Sequence, residues 1–312
     1  MLFRSRYVNA LPKRIKAPIF CGFGLGLAWL VLVVVTWYLN ERFEASLVAT
    51  DIPTLVLAFC GMMPKPSMPP HCPVAVDDGG ISSSYKARTY DAQIILHRNK
   101  LGSKNANTLH RLSKWGVHDA EVWRSYAYNA ADTMNMRDGA RVYEIGVGTG
   151  AFMHALQLKY KNLEIAGSDL SAQAVVIANQ MLGAHFCLAN AYDLSYAPAD
   201  HYDFVIANGV FLVAAATESE SVDLVKQAVR LLKPKTGKLF VSYNSIPLPG
   251  GGTTGDGRIN LRTEFWTENA ERLQLTNVKI VTPTFLGGSS IKYDVYADRA
   301  DASAGHVGAT NA

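Results

Sequence analysis

Val142-Tyr143-Glu144-Ile145-Gly146-Val147-Gly148-Thr149-Gly150-Ala151-Phe152 carries an apolar strand into three alternating glycines and straight on into a helical pattern. Glycine tolerates positive φ and lets a ligand approach the backbone closely. In an open sheet of parallel strands such a turn lies at the carboxyl edge, where these folds bind ligands. Asp169, 19 residues beyond Gly150, ends the next apolar strand. A carboxylate there can accept hydrogen bonds from both hydroxyls of a ribose. Asp169 could also serve only as the cap of the following helix, but Ser171 caps equally well and leaves the carboxylate to a ligand.

Gly146-x-Gly148-x-x-Ala151 also satisfies the fingerprint of a dinucleotide turn, so the glycines alone do not choose the ligand. Glu144 does. A pyrophosphate sits on a helix N-terminus because it is anionic, and a carboxylate two residues before the first glycine repels it. The same carboxylate suits a ligand with an ammonium and a sulfonium group. For that ligand an open cleft between Gly148 and Asp169 is expected.

Working outward, strand-like and helix-like segments alternate. ARVYEI, LEIAGSD, HFCLA, YDFVIA and GKLFVSYN read as strands. AFMHALQLKY, SAQAVVIANQML and SESVDLVKQAVRLL read as helices. Alternation of this kind requires a mostly parallel sheet with helices on both faces. VKIVTPTF and IKYDVYA follow, separated by Leu286-Gly287-Gly288-Ser289, a hairpin signal that adds antiparallel character at one edge. Upstream, a helical region over about 104–136 spaces Trp115, Val122, Trp123, Tyr126 and Ala130 as a helix would.

The stretch EIGVGTG resembles the first motif of class I S-adenosylmethionine-dependent methyltransferases. SDLS (168–171), ANAYDLSY (189–196), YDFVIANGVF (202–211) and VRLLKPKTGKLFVSY (229–243) resemble later segments of that family, in the same order. The resemblance covers about 140–297. It implies an α/β, Rossmann-like, doubly wound seven-stranded sheet with an antiparallel last strand, and S-adenosyl-L-methionine as cofactor. Carried over by position, Glu144, Gly146, Gly148 and Gly150 would hold the methionine part and Asp169 the ribose. Asn190 stands where the family usually has an aspartate on adenine, and an amide can both donate and accept there. Asn208 would lie near the sulfonium. Asn190 and Asn208 could instead be amides that satisfy their own loops.

Methyl transfer asks mainly for alignment of nucleophile, methyl and sulfur, so no catalytic residue is assigned. His154, one turn into a helix, is taken as structural. Tyr85, Tyr243 and Trp266 are acceptor-pocket candidates, with capping of the core as the other role for Trp266. The glycine-rich run 249–255 is a candidate gate or a plain loop. Asn208 is not followed by Pro-Pro-Tyr, which disfavours a nucleobase or a protein amide as acceptor.

The N-terminal part reads differently. No charge occurs from Ala17 to Leu39, and IFCGFGLGLAWLVLVVVTWYL is about as long as a bilayer-crossing helix needs to be. Arg4, Arg6, Lys13, Arg14 and Lys16 precede it, which predicts a cytosolic N-terminus with the rest translocated. A retained single-pass anchor in the endomembrane system is expected, although an Arg-rich, acid-free N-terminus also suits a mitochondrial presequence. The expected organisation is a basic arm (1–16), a transmembrane helix (17–39), a Pro-rich stem (40–80), a helical lid or substrate region (81–136), the core (137–297) and a disordered tail (298–312).

Cys21 and Cys187 are expected to be packing residues. Cys60 and Cys72 could pair in an oxidising compartment, with two thiols as the simpler expectation. His71 beside Cys72 lacks a second ligand pair at metal spacing, so no metal is expected. The net charge of +4 is concentrated ahead of Glu41, and no basic patch interleaved with aromatics follows, so no nucleic acid is expected as partner. The expected partners are a small-molecule or lipid acceptor, and the membrane through residues 17–39. The rival readings are a non-catalytic tethered interaction module on the same fold and an NAD(P)-dependent reductase.

Overall fold

A computed structural model describes residues 71–73, 120–210, 217–243, 252–253, 259–282 and 293–301. All of them belong to one compact unit. In chain order the elements are α1 (Ala120–Thr133), β1 (Arg141–Ile145), α2 (Ala151–Lys159), β2 (Glu164–Asp169), α3 (Ala172–Leu182), β3 (His185–Leu188) and β4 (Phe204–Asn208). Then come α4 (Glu218–Leu231), β5 (Lys238–Tyr243), β6 (Gly252–Thr253), β7 (Ile259–Asn260), α5 (Glu264–Glu268), β8 (Leu275–Val281) and β9 (Tyr293–Arg299).

Seven strands form one sheet in the order β3-β2-β1-β4-β5-β9-β8. β1 pairs in parallel with β2 and with β4, and β5 continues the parallel set. β9 is antiparallel to both β5 and β8. The β9–β8 pair thus brings antiparallel character to one edge of the sheet, as expected, with the last strand of the chain, β9, lying between β5 and β8. β6 and β7 form a separate two-residue ladder.

Period-2 alternation sends neighbouring residues of each strand to opposite faces. Val142, Phe204, Ile206 and Phe240 face α1, α2 and α3, meeting Trp123, Tyr126, Phe152 and Val175. Tyr143, Ile145, Val205, Ala207, Leu239 and Val241 face the other way, against Val222, Val225 and Val229 of α4 and Phe265 and Trp266 of α5. Each strand is apolar on both sides because each face is covered. Phe240 is gripped by aromatic rings: Phe152 stacks on it at 5.9 Å and Tyr126 lies 6.1 Å away.

Two helix starts follow from single residues. The Ser171 hydroxyl accepts from Ala174 N–H at 3.1 Å, and the Thr217 hydroxyl accepts from Glu220 N–H at 3.1 Å. Each satisfies one of the donors that a helix start leaves over.

The C-terminal boundary differs from expectation. Residues 298–301 belong to the domain: Asp298 pairs with Lys238 at 2.9 Å, and Arg299 bonds Asp200 and the carbonyl of Leu232. Asp298 and Arg299 complete β9, each with its charge partnered. Among the described residues no helix is long and apolar enough to cross a membrane. The expected arm, the transmembrane segment 17–39 and Leu286–Ser289 lie outside the described residues, as does the stem except for 71–73.

Candidate functional site

Strand order reverses at β1. The chain moves from β1 through β2 to β3 on one side, then returns to β4 on the other. Such a switch point leaves a crevice at the carboxyl ends of the two central strands. The glycine turn lies there. Gly146, Gly148 and Gly150 all have positive φ, at 70°, 54° and 86°. A Cβ on Gly146 would run into the Val210 side chain just beyond β4, so glycine is needed for space as well as for conformation. Gly150 caps α2 in the left-handed region, where a Cβ would meet Leu182 at 2.7 Å.

The turn is tied to the end of β2. Gly146 and Val147 N–H both donate to the Ser168 carbonyl, at 2.7 and 2.9 Å. Gly148 N–H donates to Asp169 Oδ2 at 2.8 Å, and Ser171 N–H donates to Asp169 Oδ1 at 2.8 Å. The expected open cleft between Gly148 and Asp169 is thus bridged by a hydrogen bond. Asp169 and the turn form one wall rather than two jaws. The carboxylate is 7% exposed. The two backbone donors orient one oxygen each. Ser171 supplies the side-chain cap of α3.

Glu144 is 2% exposed, on the face that carries α1, α2 and α3, in register with Gly167 on β2 and Ile206 on β4. Its carboxylate and that of Asp169 come from adjacent strands beside one turn. Asn190 has a local role: its Oδ1 accepts from Tyr192 N–H at 3.1 Å, and its carbonyl accepts from Asp193 N–H. Asn208 ends β4 and is half-buried, and Gly209 beyond it takes φ 78°.

The acceptor candidates separate. Trp266 is enclosed in the core with Phe265, whose ring is 5.3 Å away, so it is a core residue and does not line a pocket. Tyr243 is the last residue of β5, paired with Tyr293. Tyr85 lies outside the described residues. Within 249–255, Gly252 and Thr253 form the β6 ladder with Asn260 and Ile259. His154 is half-buried, and burial, with the Arg124 charge, holds its pKa below the usual imidazole range.

Sequence reasoning missed a polar row at the same carboxyl edge. Asn208, Ser242 and Asp294 stand in register across β4, β5 and β9. Tyr126 of α1 reaches into this row, its hydroxyl 2.6 Å from Ser242 Oγ and 2.7 Å from Asp294 Oδ1. Burial first, and then the Asp294 charge, push the Tyr126 phenol well above its ordinary pKa, so it stays protonated and donating. The available signal was one acid, Asp294, inside the apolar alternation of IKYDVYA.

Cys187 was also misread. It forms a disulfide with Cys72, Cα–Cα 5.4 Å, across 115 residues of chain. Cys72 therefore pairs neither with Cys60, which lies outside the described residues, nor remains a thiol. β3 presents Cys187 to the side away from Phe186, beside Ala189 and Tyr196, where Cys72 packs.

Residues 142–235 match the family described as Methyltransferase domain. The release factor glutamine methyltransferase of Bordetella pertussis is 32% identical over 80 residues, covering 24% of this chain and 30% of the relative. The chain thus spans about a third of that curated relative's length. Among solved structures, phosphoethanolamine N-methyltransferase 2 of Haemonchus contortus, in complex with S-adenosyl-L-methionine, aligns with a TM-score of 0.47 at 14% identity, covering 64% of this chain and 61% of that one. Geranyl diphosphate C-methyltransferase of Streptomyces coelicolor aligns with a TM-score of 0.47 at 13% identity, covering 64% and 83%. A SAM-dependent methyltransferase of Aquifex aeolicus aligns at 0.44 and 15% identity, covering 62% and 98%.

Proposed function

We propose that this chain is an S-adenosylmethionine-dependent methyltransferase that acts on a small-molecule or membrane-associated acceptor and is tethered by residues 17–39. The observation that carries the reading is the wall made by the glycine turn and Asp169 at the switch point of the sheet. The match of residues 142–235 to a methyltransferase domain supports it. The donor set fits the cofactor: an oriented carboxylate for ribose hydroxyls and a second buried acid that favours a cationic ligand over a pyrophosphate.

When bound, S-adenosylmethionine supplies a methyl group activated by positive sulfur. The chain's residues bind and align. Asp169, fixed by the Gly148 and Ser171 N–H groups, would accept from the ribose hydroxyls. Glu144 would supply negative charge for the methionine end. Gly146 and Gly148 let the backbone come close. Asn208, at the exit of β4, borders the reacting region. Catalysis is by orientation and exclusion of water, with a base needed only for an acceptor that must lose a proton first. The segment after β4 reads Asn208-Gly209-Val210-Phe211, so the glutamine acceptor named for the Bordetella relative is not carried over.

The domain is assigned to the far side of an endomembrane. The basic arm before residue 17 favours a cytosolic N-terminus, and the Cys72–Cys187 disulfide suits an oxidising lumen. Protease protection on intact organelles checks the side. A domain digested without detergent would overturn this placement.

The function is tested by titrating the detergent-solubilised full chain with S-adenosylhomocysteine and with NAD, then supplying radiolabelled S-adenosylmethionine to lipid and small-metabolite extracts. Binding of the homocysteine nucleoside alone, with label transferred, is expected. Tighter binding of NAD would identify a reductase. Binding of the nucleoside without any labelled product would identify an interaction module.

A further inference from the structure

His71 beside Cys72 offers half of a metal site in the sequence. The fold supplies the other half. On β3, His185 and Cys187 are two residues apart and so project to the same face. The disulfide brings His71 and Cys72 onto that face. The ligand atoms of His71, Cys72 and Cys187 all lie within 4.8 Å of one another. The His185 ring stands 6.5 Å from the His71 ring, edge to face. Two sulfurs and the His71 imidazole therefore converge, and the His185 ring stands beside them.

We propose that this cluster has a second closed state, in which Cys72, Cys187, His71 and His185 hold one Zn²⁺ when the disulfide is reduced. A mixed sulfur–nitrogen tetrahedron is the set that zinc prefers. With Zn–S about 2.3 Å and Zn–N about 2.0 Å, ligand atoms stand roughly 3.3–3.8 Å apart and two ring centroids roughly 5 Å apart. The His71 and His185 rings, at 6.5 Å, stand wider than that, so the closed state requires the imidazoles to turn toward the sulfurs. Both cysteines are buried while both histidines are exposed. The sulfurs are thus shielded, and the imidazoles can swing onto an ion arriving from solvent.

The chemistry balances with a dithiol as reductant. The dithiol gives two electrons and two protons to the Cys72–Cys187 bond and becomes a disulfide itself, and two thiols result. Zn²⁺ then displaces one proton from each thiol, and both histidines bind as neutral imidazoles. Which state is populated is set by the redox potential around the domain. Both states clamp residues 71–73 to β3, which lies at the edge of the sheet. Through β3 both brace the ligand wall, because Ala189 N–H donates to the Asp169 carbonyl at 3.0 Å. Neither state depends on what the cleft binds.

The test compares the full chain, solubilised in detergent, before and after reduction with a phosphine that leaves zinc free. The reduced protein should retain one zinc per chain after gel filtration, measured by elemental mass spectrometry, and release two protons per zinc. The oxidised protein should retain none. Cobalt in place of zinc should give sulfur-to-cobalt charge-transfer bands and the intense visible bands of a tetrahedral site. Replacing both exposed histidines, H71A with H185A, should weaken zinc binding by more than the roughly 10–100-fold that loss of an outer partner costs. Circular dichroism should show that variant folded. Sub-stoichiometric zinc in the reduced wild type, or equal zinc affinity in the double variant, would overturn the site.

Discussion

The two sides of the central crevice each bury a carboxylate at the carboxyl edge of the sheet, and they hold it in different ways. On the β2 side, Asp169 is gripped by main-chain N–H groups of Gly148 and Ser171. On the β5 side, Asp294 is gripped by the Tyr126 phenol, a side chain 168 residues away in sequence. A main-chain grip comes from a local turn and fixes the direction of the acid beside the glycines. A side-chain grip comes from tertiary packing, and its effect is to bolt α1 to the sheet. The first arrangement suits binding and the second suits stability. Substitutions on the two sides should separate those effects.

The largest effect is expected at the cross-link that braces the β3 side. Cys72→Ser reopens a loop closed across 115 residues. The loss should be up to about 4 kcal/mol of unfolding free energy, read by denaturant unfolding of the oxidised protein. Hydrogen exchange should quicken first in β2 and β3 while β5 and β9 keep their protection. Equal loosening of both sides would show that the crevice does not divide the sheet mechanically.

Tyr126→Phe comes next, at about 3 kcal/mol, because a 2% exposed carboxylate loses its phenol donor. Here β9 and α1 should loosen while β2 and β3 hold. The double variant Tyr126→Phe/Asp294→Leu should recover a large part of the loss, since it removes the buried charge along with its donor. No recovery would mean that Asp294 matters for something other than its bond to Tyr126.

The same contrast explains what could be read in the sequence. The glycine turn, Asp169 and the Ser171 cap lie within 26 residues, from Gly146 to Ser171, and their partners are one another, so local chemistry foretold them. The alternation of strands and helices is local as well, and it led to a mostly parallel sheet covered on both faces, while the count of seven strands came from the family resemblance. The row Asn208–Ser242–Asp294 exists only through strand register, and nothing near Ser242 announces Tyr126. Cys187 looked like packing because its partner arrives from a segment before α1. Trp266 looked like a possible pocket wall because one sequence cannot show which face of α5 meets the sheet. The Gly148–Asp169 bond was missed because spacing fixes the strand ends but not the depth of the turn between them.

Asp169→Asn should add what Tyr126→Phe lacks, a loss of binding. The amide keeps the shape but has one acceptor oxygen for the Gly148 and Ser171 N–H groups, so stability also falls, by about 1–2 kcal/mol. On the proposed reading a charge-assisted bond to ribose is lost, worth about 2 kcal/mol, or about 30-fold in affinity for S-adenosylhomocysteine by calorimetry. Unchanged affinity with a lowered melting temperature would move Asp169 from ligand wall to structural cap.

The smallest effect lies at the opposite, amino edge of the sheet, where Asp203 precedes β4. Burial raises its pKa, but the Lys233 ammonium at 2.7 Å and the Arg141 N–H at 2.9 Å outweigh burial and hold it below the usual carboxylate range. A depressed acid binds fewer protons folded than unfolded. Its contribution is therefore full above the unfolded value of about 3.9 and fades as pH falls through the lower folded value. Lys233 is one-third exposed, so screening limits the pair to about 1 kcal/mol. Unfolding free energies at pH 5 and pH 3 should converge by that amount in Asp203→Asn relative to wild type. Because this pair ties β1, β4 and the turn after α4 far from the crevice, affinity for S-adenosylhomocysteine at pH 7 should not move. A loss of affinity in Asp203→Asn would mean that the two edges of the sheet are coupled, against the division between binding and bracing drawn at the crevice.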